Sequence, residues 1–369
     1  MKNYSKEKFI KLLKPHNPGK IGKKIENLFK QGEITEGKFS EKFEDMVSNY
    51  LNNKNCVLLN SGTSALTLAY RLIDFKRGDE VITTPFTCMA TNEPLYNDKI
   101  NFKFCDIDPL TGNASINSIK KLINNKTKAI VVVHWGGLPF DVVRLKKIIG
   151  NKNIKIVEDA AHALGSKLYG KKIGNHGDFV CFSFQAIKHI TTGDGGLLVC
   201  KKKSDAKKAK LLRWFGLDRN FKGNKWLQDI KHSGYKFHLN NIASLIGCEQ
   251  MKYVNSIIKT HTRNGKLFDK KINNPKIKKI IKLKNSQSSY WLYSILVDNK
   301  KKFKNYMLKN KVECDEVSFR NDRYSIFKKY RKKLPGTDYF DKHMLNIPVG
   351  WWVKVKDVNR IIKVINLYN

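Results

Sequence analysis

The stretch CVLLNSGTSALTLAYRLIDFKRGDEVITT, residues 56–84, decides the fold. It opens on the apolar run CVLLN (56–60) and passes at Ser61 and Gly62 into a helical segment, Thr63–Asp74. After Gly78 it returns to an apolar run, EVITT (80–84). A buried strand, a helix and a second buried strand within about 30 residues form the repeating unit of a parallel sheet covered by helices. The same texture continues to residue 200. NFKFC (101–105), AIVVVH (129–134), IKIVED (154–159), FVCFSF (179–184) and GLLVC (196–200) read as five more buried strands, with helices at Ser115–Asn124 and Asp141–Ile149. The predicted fold class is therefore α/β: a large domain with a mostly parallel seven-stranded sheet between helices.

Outward from this unit the texture changes. The first 55 or so residues read as polar and helical, with SEKFEDMVSNYL (Ser40–Leu51) an amphipathic helix capped by Ser40. Residues 204–260 read mostly as helix around a Gly-containing loop. From about 265 the strand YWLYSILV (290–297), a helix over 299–310 and a helix from Lys356 indicate a smaller C-terminal α+β domain. The division predicted is 1–260 for the N-terminal helices and large domain, and 261–369 for the small one.

The chain has 369 residues, 71 Lys+Arg against 32 Asp+Glu, and a formal charge of +39. Such a surplus raises a polybasic nucleic-acid-binding regulator as one reading. Only ten of the basic residues are Arg, the side chain that reads bases bidentately, and the lysines are dispersed, so no specific nucleic-acid partner is expected. No apolar run is long enough to cross a membrane, no secretory signal opens the chain, and the seven cysteines include no CxxC pair. These features fit a cytoplasmic protein without a disulfide framework or a zinc site.

In a parallel sheet, ligands sit at the carboxyl ends of the strands, and three strand ends carry chemistry. Asn60-Ser61-Gly62-Thr63-Ser64 ends the first strand and opens a helix, so it offers N–H groups, hydroxyls and the positive dipole end to a phosphate, or serves simply as a Ser/Thr cap. Glu158-Asp159-Ala160-Ala161-His162 follows IKIV. Two adjacent acids on a strand face opposite sides, so one can enter a cleft; a metal reading lacks a second cluster of ligand spacing. FSFQAIKHITTGDGG (182–196) holds Lys188 between apolar and small residues, where a desolvated amine can attack a carbonyl. A phosphate cradle, a strand-end carboxylate and a desolvated lysine together are what pyridoxal 5'-phosphate needs.

The chain resembles the DegT-type sugar aminotransferases, pyridoxal-phosphate enzymes of the aspartate-aminotransferase fold, from about residue 20 to the C-terminus. The likeness is carried by SGTSALTLAY (61–70), GDEVITTPFTCMATN (78–92), KTKAIVVVHWGG (126–137), VEDAAHALGSKLYGKKIGNHGD (157–178), FSFQAIKHITTGDGG and GYKFHLNNIASLIGCEQ (234–250). The resemblance implies Lys188 as the Schiff-base lysine and acid/base, Asp159 against the pyridine nitrogen and His162 near the ring hydroxyl. It implies Gly62, Thr63, Ser64 and Ser183 around the phosphate. Cys88 stands where many relatives stack an aromatic ring on the cofactor, a task open to Trp135 or another ring. GYKFHLN resembles the segment that reaches into a neighbouring subunit's site, which implies a homodimer with shared active sites; Lys236 and His238 stand where many relatives have Asn and Arg. Sugar-nucleotide contacts are expected from Trp135, His189, Arg213, His238, Arg320 and Asn321.

The implied reaction moves an amino group from L-glutamate, leaving 2-oxoglutarate and pyridoxamine 5'-phosphate, to a nucleotide-linked keto sugar. Relatives with a TTGDGG turn after the lysine, as at 191–196 here, are more often C4- than C3-transaminases, so the resemblance favours C4 amination of a 4-keto-6-deoxy sugar on GDP or dTDP, giving a perosamine- or viosamine-type product. C3 amination and sugar 3-dehydration on the same fold are the alternatives. The dehydratase branch has His in place of the lysine, whereas here Lys188 is present and His189 follows it.

Overall fold

The computed structural model describes residues 8–224 and 227–369; residues 1–7 of the stretch read as helical, and Lys225 and Trp226, lie outside them. All seven apolar runs form strands of one sheet: β1 (Cys56–Leu59), β2 (Glu80–Thr83), β3 (Asn101–Phe104), β4 (Thr127–Val133), β5 (Lys155–Asp159), β8 (Phe179–Ser183) and β9 (Gly196–Cys200). Between β5 and β8 lie the two-residue strands β6 (Lys167–Leu168) and β7 (Lys171–Lys172), which form a small ladder with β11 (Ser286–Gln287). The large sheet runs β1-β9-β8-β5-β4-β2-β3, and only β9 is antiparallel to its neighbours. Its strands are buried along nearly their whole length, as strands covered on both faces must be.

One core cluster lies on each face of this sheet. On one face Leu58, Ile82, Ile130, Ile156, Val180 and Leu197 pack with Phe43, Val47 and Leu51 of the helix Lys38–Leu51. On the other, Val57, Val81, Val131, Val157 and Cys181 pack with Leu66, Leu68 and Ala69 of the helix Gly62–Ile73. The alternation of neighbouring strand residues between the two clusters is the period-two geometry of the pleat.

A second, three-stranded sheet is formed by β10 (Ile277–Lys279), β12 (Tyr293–Val297) and β13 (Met344–Ile347), all antiparallel. The helices Lys300–Lys309 and Val355–Asn366 pack on it through Phe303, Met307, Val358, Ile361 and Ile365.

Three local readings are corrected. The helix Lys38–Leu51 is capped at Gly37, because the Ser40 hydroxyl is buried against the Leu239 carbonyl and Ser244. Residues 8–20 are not helical: Ile10 and Leu12 are buried at period two, Ile10 bridges Val312, and Pro15 and Pro18 oppose a helix. This segment packs on the small sheet's side of the molecule, where Ile10 belongs to that cluster. A boundary at 260 falls inside the continuous helix Val254–Lys271, whose sequence offers no punctuation there.

The helix Asn241–Met251 crosses the helix Lys38–Leu51 at Gly247, where an added Cβ meets Phe43 ring atoms at 2.6–2.7 Å. On an open helix face Gly→Ala stabilises by about 0.5–1 kcal/mol. At Gly247 we expect the opposite sign, a loss of about 1–3 kcal/mol from overpacking, read as a lower urea midpoint with an unchanged m-value.

Candidate active site

The register of the large sheet assembles the site. Gly196, the first residue of β9, pairs with Leu59 at the end of β1 and with Ser183 at the end of β8. The carboxyl ends of β1 and β8 therefore flank a single glycine, and Asp159 at the end of β5 pairs with Cys181 of β8. A Cβ on Gly196 would lie 2.1 Å from the Ser61 carbonyl oxygen, so the approach admits no side chain.

At the β1 end, Ser61 caps the helix Gly62–Ile73 by accepting from the Ser64 N–H at 2.9 Å. A Cβ on Gly62 would lie 2.9 Å from Ser183 Cβ, so Gly62 brings the helix terminus onto the end of β8. Thr63 is exposed at this terminus and Ser183 is half-buried beside it. Ser64 is different: its hydroxyl donates to Asn60 Oδ1 at 2.6 Å and meets Ser61 Oγ at 2.8 Å, so it is engaged in the cap. A helix terminus of this kind can receive an anion, and Gly62, Thr63 and Ser183 form the cradle it would enter.

Lys188 sits in the loop between β8 and β9, which is closed by bonds from the Phe184 N–H to Gly195, from Thr192 to Phe184 and from the Lys188 N–H to Gln185. Its Nζ lies 3.9 Å from the centre of the Trp291 ring. Burial pushes the Lys188 ammonium down to about 8, opposed by the carboxylate of Asp159 and then by Cys88. Cys88, at the start of the helix Met89–Asn97, is exposed, whereas the other six cysteines are buried.

Asp159 is buried; its Oδ2 accepts from Thr91 Oγ1 at 2.6 Å and its Oδ1 from the Ala161 N–H at 3.1 Å. Glu158, its neighbour, faces the opposite side and pairs with His134 at 2.8 Å. His162 stacks on Trp291 with ring centres 3.8 Å apart, and Trp135 abuts its edge. Burial, then the charge of Lys188, holds His162 well below the usual imidazole range, so the ring is neutral near pH 7. Its Nδ1 is buried with no hydrogen-bond partner among the described residues.

Trp291 is the residue that sequence reading missed. YWLYSILV carried only a strand signal, and nothing local marks the ring that lies against both Lys188 and His162 with its N–H donating to the Ile187 carbonyl at 2.8 Å. Trp135 is 1% exposed and its N–H donates to Ser294 at 3.1 Å, so it backs His162 and has no face open to a ligand.

Several expected sugar-nucleotide contacts hold the fold together. Arg213 pairs with Glu36 at 2.6 Å and Glu44 at 3.4 Å and donates to the Leu58 carbonyl, fastening the helix Lys38–Leu51 and the loop before it to β1. Arg320 is engaged bidentately by Asp322 and also by Asp338. Asn321 is buried and uses both ends of its amide inside the protein. His189 is buried, with Nε2 3.2 Å from the Ser289 carbonyl and its ring against His261. These chemical types were legible, but the buried acids and carbonyls they answer to come from distant segments.

His238 and Lys236 lie near the β1 end, where the Asn60 N–H donates to the Phe237 carbonyl at 2.7 Å. His238 packs edge-on to Trp214, its Nδ1 is buried with no partner among the described residues, and burial followed by Arg219 pushes it down to about 4. Among the described residues no group of three or more His, Cys, Asp or Glu side chains could hold a metal ion, and no helix is long and apolar enough to cross a membrane.

The side chains fit pyridoxal phosphate on their own geometry. An unpartnered neutral imidazole, a carboxylate with lone pairs left over, a desolvated amine and a helix terminus with no room for a Cβ match that cofactor's hydroxyl, ring nitrogen, aldehyde and phosphate. A mostly parallel sheet presenting these groups at its carboxyl edge has the features of a pyridoxal-phosphate enzyme.

The comparisons with known proteins carry the assignment to the family. The chain belongs to the DegT/DnrJ/EryC1/StrS aminotransferase family, whose model matches residues 17–366. It is 31% identical over 335 residues, 88% of each chain, to UDP-4-amino-4,6-dideoxy-N-acetyl-beta-L-altrosamine transaminase of Campylobacter jejuni. It is 27% identical over 345 residues, 92% of this chain and 93% of the other, to GDP-perosamine synthase of Escherichia coli O157:H7. The crystal structure of AtS13 from Actinomadura melliaura superposes with a TM-score of 0.95 at 31% identity, covering 99% of this chain and all of that one. The protein is a sugar aminotransferase.

The desolvation of Lys188 has a sign that can be tested. Burial disfavours the ammonium, so the free amine, the form that attacks an aldehyde, accounts for about a tenth of the molecules at pH 7 and about half at pH 8. Uptake of pyridoxal phosphate by the apo-protein should accelerate about tenfold from pH 6 to pH 7 and level off above about pH 8. A rate that keeps rising to pH 10 shows a lysine at its ordinary value.

Proposed function

We propose that the protein transfers the amino group of L-glutamate to C4 of a nucleotide-linked 4-keto-6-deoxy sugar, with Lys188 as the residue that holds the cofactor aldehyde and moves the proton. The observation that carries the reading is the position of the Lys188 amine, over Trp291 and within the influence of Asp159, in a loop bounded by the anion cradle. When bound, pyridoxal phosphate supplies an electron-accepting ring that carries the amino group from one substrate to the next.

The chain's own residues do the rest. Gly62, Thr63 and Ser183 hold the phosphate at the helix terminus. Asp159 keeps the ring nitrogen protonated, and His162 offers its unpartnered nitrogen to the ring hydroxyl. Lys188, with an amine that gains and loses a proton near neutral pH, shuttles protons between cofactor and substrate carbons. Cys88 puts no aromatic ring beside Lys188, and Trp291 supplies the aromatic surface on the lysine side.

C4 amination is favoured by the TTGDGG turn and by the 4-amino-4,6-dideoxy product named for the Campylobacter relative. The lysine in place of a histidine at 188 speaks against 3-dehydration. A second copy of the chain completes the site in this reading: Phe215, Phe221, Leu227 and Ile230 are exposed on the segment that leads to Lys236 and His238. Those two side chains then serve the partner's site.

The test is a panel of UDP-, GDP- and dTDP-linked 4-keto and 3-keto sugars offered with glutamate. Product mass and the position of the new amine are read by mass spectrometry and NMR. We expect an amine at C4, and loss of both visible absorbance and turnover in Lys188→Ala. Amination at C3 alone, or a Lys188→Ala protein that keeps its yellow colour, overturns the reading.

A further inference from the structure

We propose that Thr91 is a positioning residue for Asp159, aligning its carboxylate through a one-way chain of hydroxyl hydrogen bonds that starts at Thr87 and is anchored by Asn321. The inference rests on the reading that Asp159 meets the cofactor's ring nitrogen.

The direction of the chain follows from donor and acceptor capacity. A carboxylate only accepts, so the 2.6 Å contact between Thr91 Oγ1 and Asp159 Oδ2 uses the single hydroxyl proton of Thr91. The 2.7 Å contact between Thr87 Oγ1 and Thr91 Oγ1 must then take its proton from Thr87. All three side chains are buried, Thr91 completely, so water cannot replace either donor. With Oδ2 accepting from Thr91 and Oδ1 from the Ala161 N–H at 3.1 Å, the rotation of the carboxylate is fixed, and each oxygen keeps one lone pair in a set direction.

The backbone that carries the two threonines is itself held from outside the large sheet. Tyr70 Oη donates to the Thr91 carbonyl at 2.8 Å. Asn321 Nδ2 donates to the Thr87 carbonyl at 2.7 Å, and its backbone N–H donates to the Pro85 carbonyl at 2.6 Å. Asn92, fully buried, donates to Asn321 Oδ1 at 2.7 Å and accepts from Thr83 Oγ1 at 2.7 Å. The loop around residue 321 is thus locked to the segment 83–92, and that segment to Asp159. Asn321 acts here as an anchor and has no amide group left for a sugar.

The experiment compares Thr91→Val, which keeps the shape and removes the hydroxyl, with Thr91→Ser, Thr87→Val and Asp159→Asn. Three quantities are read on each: pyridoxal phosphate affinity of the apo-protein, the pH midpoint of the visible band of the loaded protein, and kcat against KM for glutamate. We expect Thr91→Val to weaken cofactor affinity and lower kcat by about tenfold each, as for other outer partners that orient a ligand, with a displaced pH midpoint and KM within about twofold. Thr91→Ser should restore all three, and Thr87→Val should shift them the same way by less. A folded Thr91→Val with wild-type affinity, midpoint and kcat overturns the inference while Asp159→Asn still damages the site. If Asp159→Asn also leaves affinity and band unchanged, the reading of Asp159 itself fails. Should Thr91→Val not fold, an unchanged midpoint in Thr87→Val overturns the chain.

Discussion

Everything at the site depends on the backbone contact between Gly196 and Ser61. β9 enters the sheet antiparallel between β1 and β8, and its first residue has to fit between the two strand ends with no Cβ at all. That contact sets the helix Gly62–Ile73 against Ser183 and forces the chain between β8 and β9 into a tight loop, the loop that carries Lys188. A parallel strand in that place would need its connection to cross back to the other end of the sheet, so the chain could not turn directly from the end of β8 into β9.

The second constraint is desolvation. A lysine among 71 basic side chains becomes a nucleophile only where water is excluded, and here Trp291 and His162 do the excluding. The aromatic face also attracts the ammonium, so the site balances burial, which removes the proton, against a ring and the Asp159 carboxylate, which retain it. A group balanced near neutral pH is suited to passing a proton in both directions. Lys210 on Glu44 and Lys103 on Glu80, by contrast, reach the solvent and make ordinary ion pairs.

The seven strands, the Ser61 cap, and Asp159 and Lys188 as candidates were legible because each rests on local chemistry: an apolar run, a hydroxyl before a helix, an acid or amine after a strand. The helix Met89–Asn97 was hidden by Pro94 in its interior and by Thr91 and Asn92, which its packing tolerates because their side chains bond to other segments. Arg213, Arg320 and Asn321 were read as ligand contacts from their chemistry, yet Glu36, Asp338 and Asn92, at separations of 18 to 229 residues, had already taken their hydrogen bonds.

The sequence by itself determined the seven strands of the large sheet with several of the helices between them, the strand-end residues that bear chemistry and, through six motifs in fixed order, the likeness to the sugar aminotransferases. Those properties are written in neighbours a few residues apart, where periodicity and capping act. Only the tertiary structure decided which rings surround Lys188, which threonine orients Asp159 and which polar groups are left unpartnered to meet a cofactor. Burial and hydrogen-bond satisfaction are sums over everything packed around an atom, and for Lys188 those atoms come from the end of β5, the segment just before β12 and the residue that opens the helix after β2.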